Sequence, residues 1–448
     1  MFNINNITKA AFFIIVISAP IQWISIVDIG SLSIKWINLS VIPILLCLFF
    51  SGFRKTMSDF YKLNRWLVYA FVLLMVFDYI FTCFTLINES VGFSYIAKNL
   101  SYLLYFLAFG PIIVYRYRTP KFYREVAICN FACTIFFLCV VEVIFLSLGR
   151  NFFSELVTNF LKGNSVAIRY DLFYKLFNAH GSAGDDDYQT SLRNTLLGAF
   201  IYIVFTSLYS FKLCKGTFLK LLNIFNIGFG VFLVFASTSR SNMVALFLGY
   251  VTYISLSVYS GKFRFKISYI LMAMVFLFLC VAFWPIIESV FANSTDMIGD
   301  RLAQLDQDAR WNLDGEAIVY FFSNPLAGKG AGAVLSDGHR VHNFILGGAY
   351  QAGIIGFLLS SVFYFGIVGK FLNSAKSIAK KKELYWFAAL VCLPLLRAMT
   401  SGNNGTLSII EWFCLAFYFA VAMEEKNANN AMYLQAIHVQ QKESVQLV

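Results

Sequence analysis

At 448 residues the chain has length enough for several soluble domains, but 59% of it is hydrophobic and only 13% charged. A soluble core of that composition would carry far more apolar surface than it could enclose, so a soluble protein is excluded. The net charge of +11 does not call for nucleic acid either, because Lys and Arg fall in short loops between apolar runs rather than on one soluble face.

Apolar runs of about 20 residues, the length that crosses a bilayer as a helix, recur along the whole sequence. The expected fold class is therefore all-α and polytopic. Twelve spans are predicted at about 10–29, 36–53, 66–87, 94–115, 125–148, 192–211, 221–239, 241–259, 267–287, 344–369, 383–399 and 407–423. They form a single transmembrane domain, 1–423, followed by a polar cytoplasmic tail, 424–448, that is either loosely ordered or a surface helix. The first run has no small-residue cleavage site and leads directly into further spans, so it reads as a membrane helix. The nine Cys all lie in or beside apolar segments, which points to no disulfide framework and no CxxC metal site.

Charge sets the expected orientation. Arg54/Lys55/Lys62/Arg65, Arg116/Arg118/Lys121/Arg124, Lys212/Lys215/Lys220, Lys262/Arg264/Lys266 and Lys370/Lys376/Lys380/Lys381/Lys382 occupy alternate loops. The positive-inside rule assigns these loops, and both termini, to the cytoplasm. Two long polar loops, about 149–191 and 288–341, then fall on the outer side; loops of that length are usually functional or disordered.

Candidate chemistry gathers on that outer side. His342, followed by Asn343 and then by Gly353 and Gly356, is expected to open a helix at the membrane surface. The two glycines, three apart, would let a neighbouring helix approach closely and hold the histidine. A side chain with an ordinary pKa near 6.5 suits removal of a hydroxyl proton; the plainer alternative is an interfacial histidine that only caps or hydrogen-bonds. Arg240, in a tight turn between two spans, needs water or a negative partner, and its planar fork suits phosphate oxygens; a phospholipid headgroup would serve as well. Arg310 could supply a second cationic clamp, and Trp311 could stack on a sugar or simply anchor at the interface. Arg169 and Arg193 could grip a polyanionic or sugar chain or form local ion pairs, and Arg301 belongs to the second loop with the same potential. Lys98, inside the fourth span, needs a counter-charge or a water-filled cavity.

Two further features read as structural. Asn324 to Gly332 lacks the order of a phosphate-binding P-loop, so it is expected to be a turn leading back toward His342, with N–H groups that could still meet an anion. Asp185-Asp186-Asp187, near His180, reads as a solvated acidic loop, since three consecutive carboxylates do not converge easily on a metal.

Taken together, Ser237 to Arg240, Arg310-Trp311, Asn324-Pro325-Leu326-Ala327-Gly328-Lys329-Gly330, and His342-Asn343 with Gly353 and Gly356 resemble the bacterial O-antigen ligase and polymerase superfamily. The resemblance covers the second half of the chain with motifs and the first half only in hydropathy. The chain departs from the ligases at Val244, where they often carry Leu. The resemblance implies a GT-C-like, inverting, metal-independent glycosyltransferase of the bacterial inner membrane, without a cofactor. The donor would be an undecaprenyl-pyrophosphate-linked glycan and the acceptor a glycan or lipid on the periplasmic face, with membrane lipids and a chain-length regulator as further partners and no nucleic acid. His342 would be the base, Arg240 and Arg310 would stabilise the departing pyrophosphate, and Asn343, Trp311, Arg169, Arg193, Lys98 and Arg301 would bind substrate.

Two long loops favour a polysaccharide polymerase, by analogy within the superfamily, over the ligase that transfers glycan to lipid A core. A flippase or other transporter would have a similar number of spans but would place its ionisable residues near mid-membrane.

Overall fold

The computed structural model describes residues 3–22, 25–29, 32–85, 89–162, 164, 167–174, 186–236, 239–262, 309–336, 338, 340–400 and 407–446. The predicted span 267–287, Arg301, His180 and Asp185 lie outside them, as do the side chains of Arg169, Arg193, Arg240, Arg310 and Trp311. Among the described residues nine helices are long and apolar enough to cross a membrane. The chain is a helical, multi-pass membrane protein.

The N-terminal region departs from the expected pair of spans. Helix α1 (Ile4–Ser18) continues as a 3-10 turn to Ile21 and is followed by a small antiparallel hairpin, β1 (Ser25–Ile29) and β2 (Leu32–Lys35). A second 3-10 turn, Trp36–Ser40, and α2 (Val41–Leu48) occupy the predicted second span. At 1.5 Å per residue α2 is about 12 Å long, less than a full crossing by itself. Helix α3 (Ser51–Thr85) begins earlier than the apolar pattern predicts. Helices α4 (Glu89–Tyr117) and α5 (Phe122–Ser147) follow as expected.

Among its described residues the first long polar loop is largely helical. It contains α6 (Phe152–Leu161), whose Phe152 and Leu156 are buried, and a π-helical segment, Ala167–Tyr174, which carries Arg169. Helix α7 (Asp186–Leu213) takes in two of the three consecutive aspartates and Arg193 before it becomes apolar. With α8 (Thr217–Ala236), α5 and α7 build a polar seam. Asn130 donates to Thr206 and Ser207, both at 2.9 Å, and Asn223 donates to Ser210 at 3.1 Å. Such bonds fix the register of helices that lipid cannot squeeze together by a hydrophobic effect.

Helix α9 (Arg240–Tyr259) is followed, among the described residues, by α10 (Ala309–Ser323), α11 (Phe344–Ile378), α12 (Tyr385–Ala389), α13 (Cys392–Thr400) and α14 (Ile409–Gln446). Every residue from Ile409 to Met423 is buried, because α4, α7, α11 and α13 all pack on α14. The helix then runs on through most of the polar tail, so of the two readings of that tail the helical one holds.

Basic residues interlock one end of the bundle. Arg118 pairs with Glu424 and Lys381 with Glu425, each at 2.8 Å, while Arg116 pairs with Glu125. The hydrogen bond to Glu424 raises Arg118 above its ordinary pKa. At the opposite end one ion pair is sealed in: Arg397 and Glu411, 2.9 Å apart, are each only 3% exposed. Glu411 also accepts the Ser408 N–H at 2.6 Å, tying α13 to the first turn of α14. Removing one partner of a sealed pair strands the other charge, at a cost of about 3–5 kcal/mol. Glu411→Ala should therefore markedly lower the thermal unfolding temperature of the purified protein, whereas Arg397→Met with Glu411→Leu should recover most of the loss; an unchanged single variant would show that the pair does not hold α13 to α14.

Candidate functional site

The span expected to start at His342 is a helical hairpin. Within α11, Ala352 and Gly353 leave helical geometry, and Gly353 has φ of +59°, a conformation that side chains with a Cβ rarely adopt. The first arm, 344–351, folds back along the second, 354–378. Ser360 donates to the carbonyl of Ile345 at 3.4 Å, and the Phe344 and Phe363 rings are 5.3 Å apart. Residues 15 apart in a straight helix would be separated by about 22 Å.

This fold corrects the reading of the glycine pair. Gly353 forms the apex, and a Cβ on Gly356 would lie 2.0 Å from the carbonyl oxygen of Gly348, so the close approach is between the two arms of one segment and not with a neighbouring helix. It also moves His342. The histidine precedes the first arm at its far end from the apex, recessed by roughly 12–15 Å for an arm of this length. It does not open a helix descending from the surface.

The loop Asn324–Gly332 closes the apex. Lys329 N donates to Tyr350 O at 2.9 Å, Gly330 N to Gln351 O at 3.0 Å, and Ile354 N to Pro325 O at 2.8 Å. These bonds satisfy the end of one arm and the beginning of the next, where a broken helix leaves its backbone groups without helical partners. Ala331 N donates to the Thr82 hydroxyl at 2.7 Å, and the Thr85 hydroxyl donates to Lys329 O at 3.2 Å, which fastens the loop to α3. The amides of Lys329, Gly330 and Ala331 are thus spent inside the protein. They are not the anion-binding groups that the glycine-rich sequence allowed.

Side chains lock the same loop. The Lys329 ammonium lies over the Tyr320 and Tyr350 rings, at 4.8 and 5.0 Å, and its hydrogen bond to Tyr350 raises it above the ordinary lysine range. Glu316 on α10 accepts from Ser336 N at 3.0 Å and from its hydroxyl at 2.6 Å. Val341, directly before the histidine, is buried with Ala317, Ala333, Leu335 and Tyr350 in a small separate core. His342 itself is half-buried with Nδ1 shielded from solvent. Asn343 caps the first arm by accepting from Ile345 N at 2.9 Å and Leu346 N at 3.1 Å, while its amide faces the Met399 sulfur at 3.4 Å. The asparagine is thus a structural cap first, a role the His-Asn pattern alone did not reveal.

Lys98 is exposed, and the charges of Lys35 and Arg340 bear on it. On the same stretch of α4, the Tyr95 hydroxyl meets the Gln351 amide at 3.4 Å, which sets α4 beside the hairpin. Lys35 of β2, Lys98 of α4 and Arg340, two residues before His342, therefore bring their charges together. Sequence reasoning singled out Lys98 and missed Lys35 and Arg340; Arg340 could have been found two residues ahead of the histidine. It also passed over Asp78 and Glu411, carboxyls within apolar segments, which are costly there and so informative. Both are buried on faces turned into the bundle.

The remaining candidates are placed by backbone only. Thr252 and Cys392 meet at 3.1 Å, and Ser260 meets Tyr385, so α9 runs antiparallel to α12 and α13. That register brings Arg240 to the end of the bundle where α13 presents Met399 to Asn343. Arg310 and Trp311 begin α10, whose other end packs on the hairpin through Phe321 and Phe357, ring centroids 5.7 Å apart. Arg169 and Arg193 belong to the helical part of the first loop.

No protein-family model and no curated protein matches the chain. Among the described residues no group of three or more His, Cys, Asp or Glu could hold a metal ion.

Thr82→Val would leave the Ala331 N–H buried without its acceptor, at a cost of about 1–3 kcal/mol. Faster amide exchange across 324–332 in the variant is expected, with exchange in α14 unchanged; equal exchange in both proteins would show that the loop is not held through Thr82.

Proposed function

We propose that this chain is a glycosyltransferase that joins undecaprenyl-pyrophosphate-linked oligosaccharide units into a surface polysaccharide at the periplasmic face of the bacterial inner membrane. The observation that carries this reading is the gathering of Lys35, Lys98 and Arg340, the last of them two residues before the recessed His342, at the end of the bundle opposite the basic loops. The charge rule turns that end away from the cytoplasm. The resemblance of the second half of the chain to the O-antigen ligase and polymerase superfamily supplies the substrate class, and its GT-C-like architecture belongs to the same proposal.

In this mechanism His342 takes the proton from an acceptor sugar hydroxyl as the oxygen attacks the anomeric carbon of the donor. The bond from that carbon to the pyrophosphate breaks, and the electron pair leaves with the phosphate. Lys98 and Arg340 meet the developing negative charge in a site that water reaches only partly, where fixed positive charge is most effective. Arg240 and Arg310, at the same end, complete the grip on the leaving group. Asn343 positions the histidine by fixing the first turn of α11.

His342→Ala should lower the rate by about 100- to 10,000-fold, the usual worth of a general base, in cells matched for protein level, and normal glycan chain length would exclude the role. Arg340→Gln and Lys98→Met should reduce turnover more than abundance. Loss of the gene should leave single-repeat glycan on lipid A. Polymer retained on the carrier with none on lipid A would identify a ligase instead, and unpolymerised units held at the cytoplasmic face would identify a flippase.

A further inference from the structure

A cavity lies at the basic end, away from His342. It encloses about 570 Å³ between α3, the second arm of α11 and α14, within the range of small-molecule sites. Its walls change character along the helix axes. Toward mid-bundle it is bounded by Trp66, Val362 and Phe419, and toward the basic end by Lys370, Ser374 and Lys426.

Lys370 is half-buried. It donates to Leu63 O at 2.9 Å and to the Asn64 side chain, and its ammonium lies 4.4 Å from the centroid of the Phe419 ring. Lys426 is close enough for the two like charges to repel. Among the described residues neither lysine belongs to an ion pair, although Glu424 and Glu425 lie next in sequence: those carboxylates are taken by Arg118 and Lys381. Two cations thus face one cavity without a protein anion. An ammonium in such a position calls for a negative partner.

We propose that this cavity binds the phosphate-ester headgroup of an anionic phospholipid from the leaflet at the basic end, which the charge asymmetry assigns to the cytoplasmic side. Lys370 and Lys426 meet the phosphate and Ser374 lies beside it, while the first part of an acyl chain lies along Trp66, Val362 and Phe419. The polarity gradient favours a lipid over a free anion, because a soluble phosphate has no use for the apolar half. The site does not depend on the glycosyltransferase reading.

The test uses the full-length protein in detergent, with dioleoyl phosphatidylglycerol, dioleoyl phosphatidylcholine or inorganic phosphate added in turn. Binding is read by thermal unfolding and by lipid retained in native mass spectrometry. Phosphatidylglycerol should raise the unfolding temperature and be retained, and phosphatidylcholine should do neither. Lys426→Gln and Lys370→Gln should each weaken retention about fivefold, the worth of one lysine near an anionic headgroup. Gly369 lines the cavity, and a Cβ there meets nothing within 4 Å, so Gly369→Leu should fill the space and abolish retention without altering charge or fold. Equal retention of the two lipids, full retention by Gly369→Leu, or the same stabilisation from inorganic phosphate alone would overturn the proposal.

Discussion

A peptide group that leaves a helix in apolar surroundings must find another hydrogen-bond partner, and the candidate site is built around one place where this happens. The break at Ala352 and Gly353 sets carbonyls of one arm and an amide of the next outside any helix. The loop from Asn324 to Gly332 meets them with its own backbone, and Thr82 and Thr85 hold that loop to α3. Irregular backbone at membrane depth is tolerated where protein encloses it.

The two ends of the bundle use charge differently. At the basic end the glutamates of α14 are matched with arginine and lysine from neighbouring helices, and two lysines remain facing a cavity. At the other end Arg397 and Glu411 pair with each other, while Lys35, Lys98 and Arg340 bring positive charge together. Between them, α14 is buried from Ile409 to Met423. Its aromatic residues are held by partners such as Phe71, 5.1 Å from Trp412, and Tyr202, 4.9 Å from Phe413.

Hydropathy made most of the crossings legible, because a run of apolar residues in lipid has few alternatives to a helix. It misjudged 36–53, where the apolar run holds a 3-10 turn, a short helix and the start of α3. It also read one straight span after His342. Apolar composition is the same for a straight helix and a folded one, and only the positive φ of Gly353 and the fit of Gly356 on Gly348 distinguish them. The histidine and Lys98 stood out as polar groups beside apolar runs. Lys35 and Arg340 did not, since a cation in a loop is ordinary until the fold sets it against another. The roles of Thr82 and Asn343 rest on single hydroxyl and amide contacts between segments distant in sequence or within one helical turn, and no composition signals them.

The hairpin also makes chain length a ruler. His342 is tethered to an apex that the loop and α3 hold in place, so the count of residues in the first arm determines how far below that apex the imidazole lies. One residue more or less would shift it by about 1.5 Å and swing it by about 100° around the arm. The interval from His342 to Gly353 is in this sense a measured distance written in residues, and it admits substitutions far more readily than insertions.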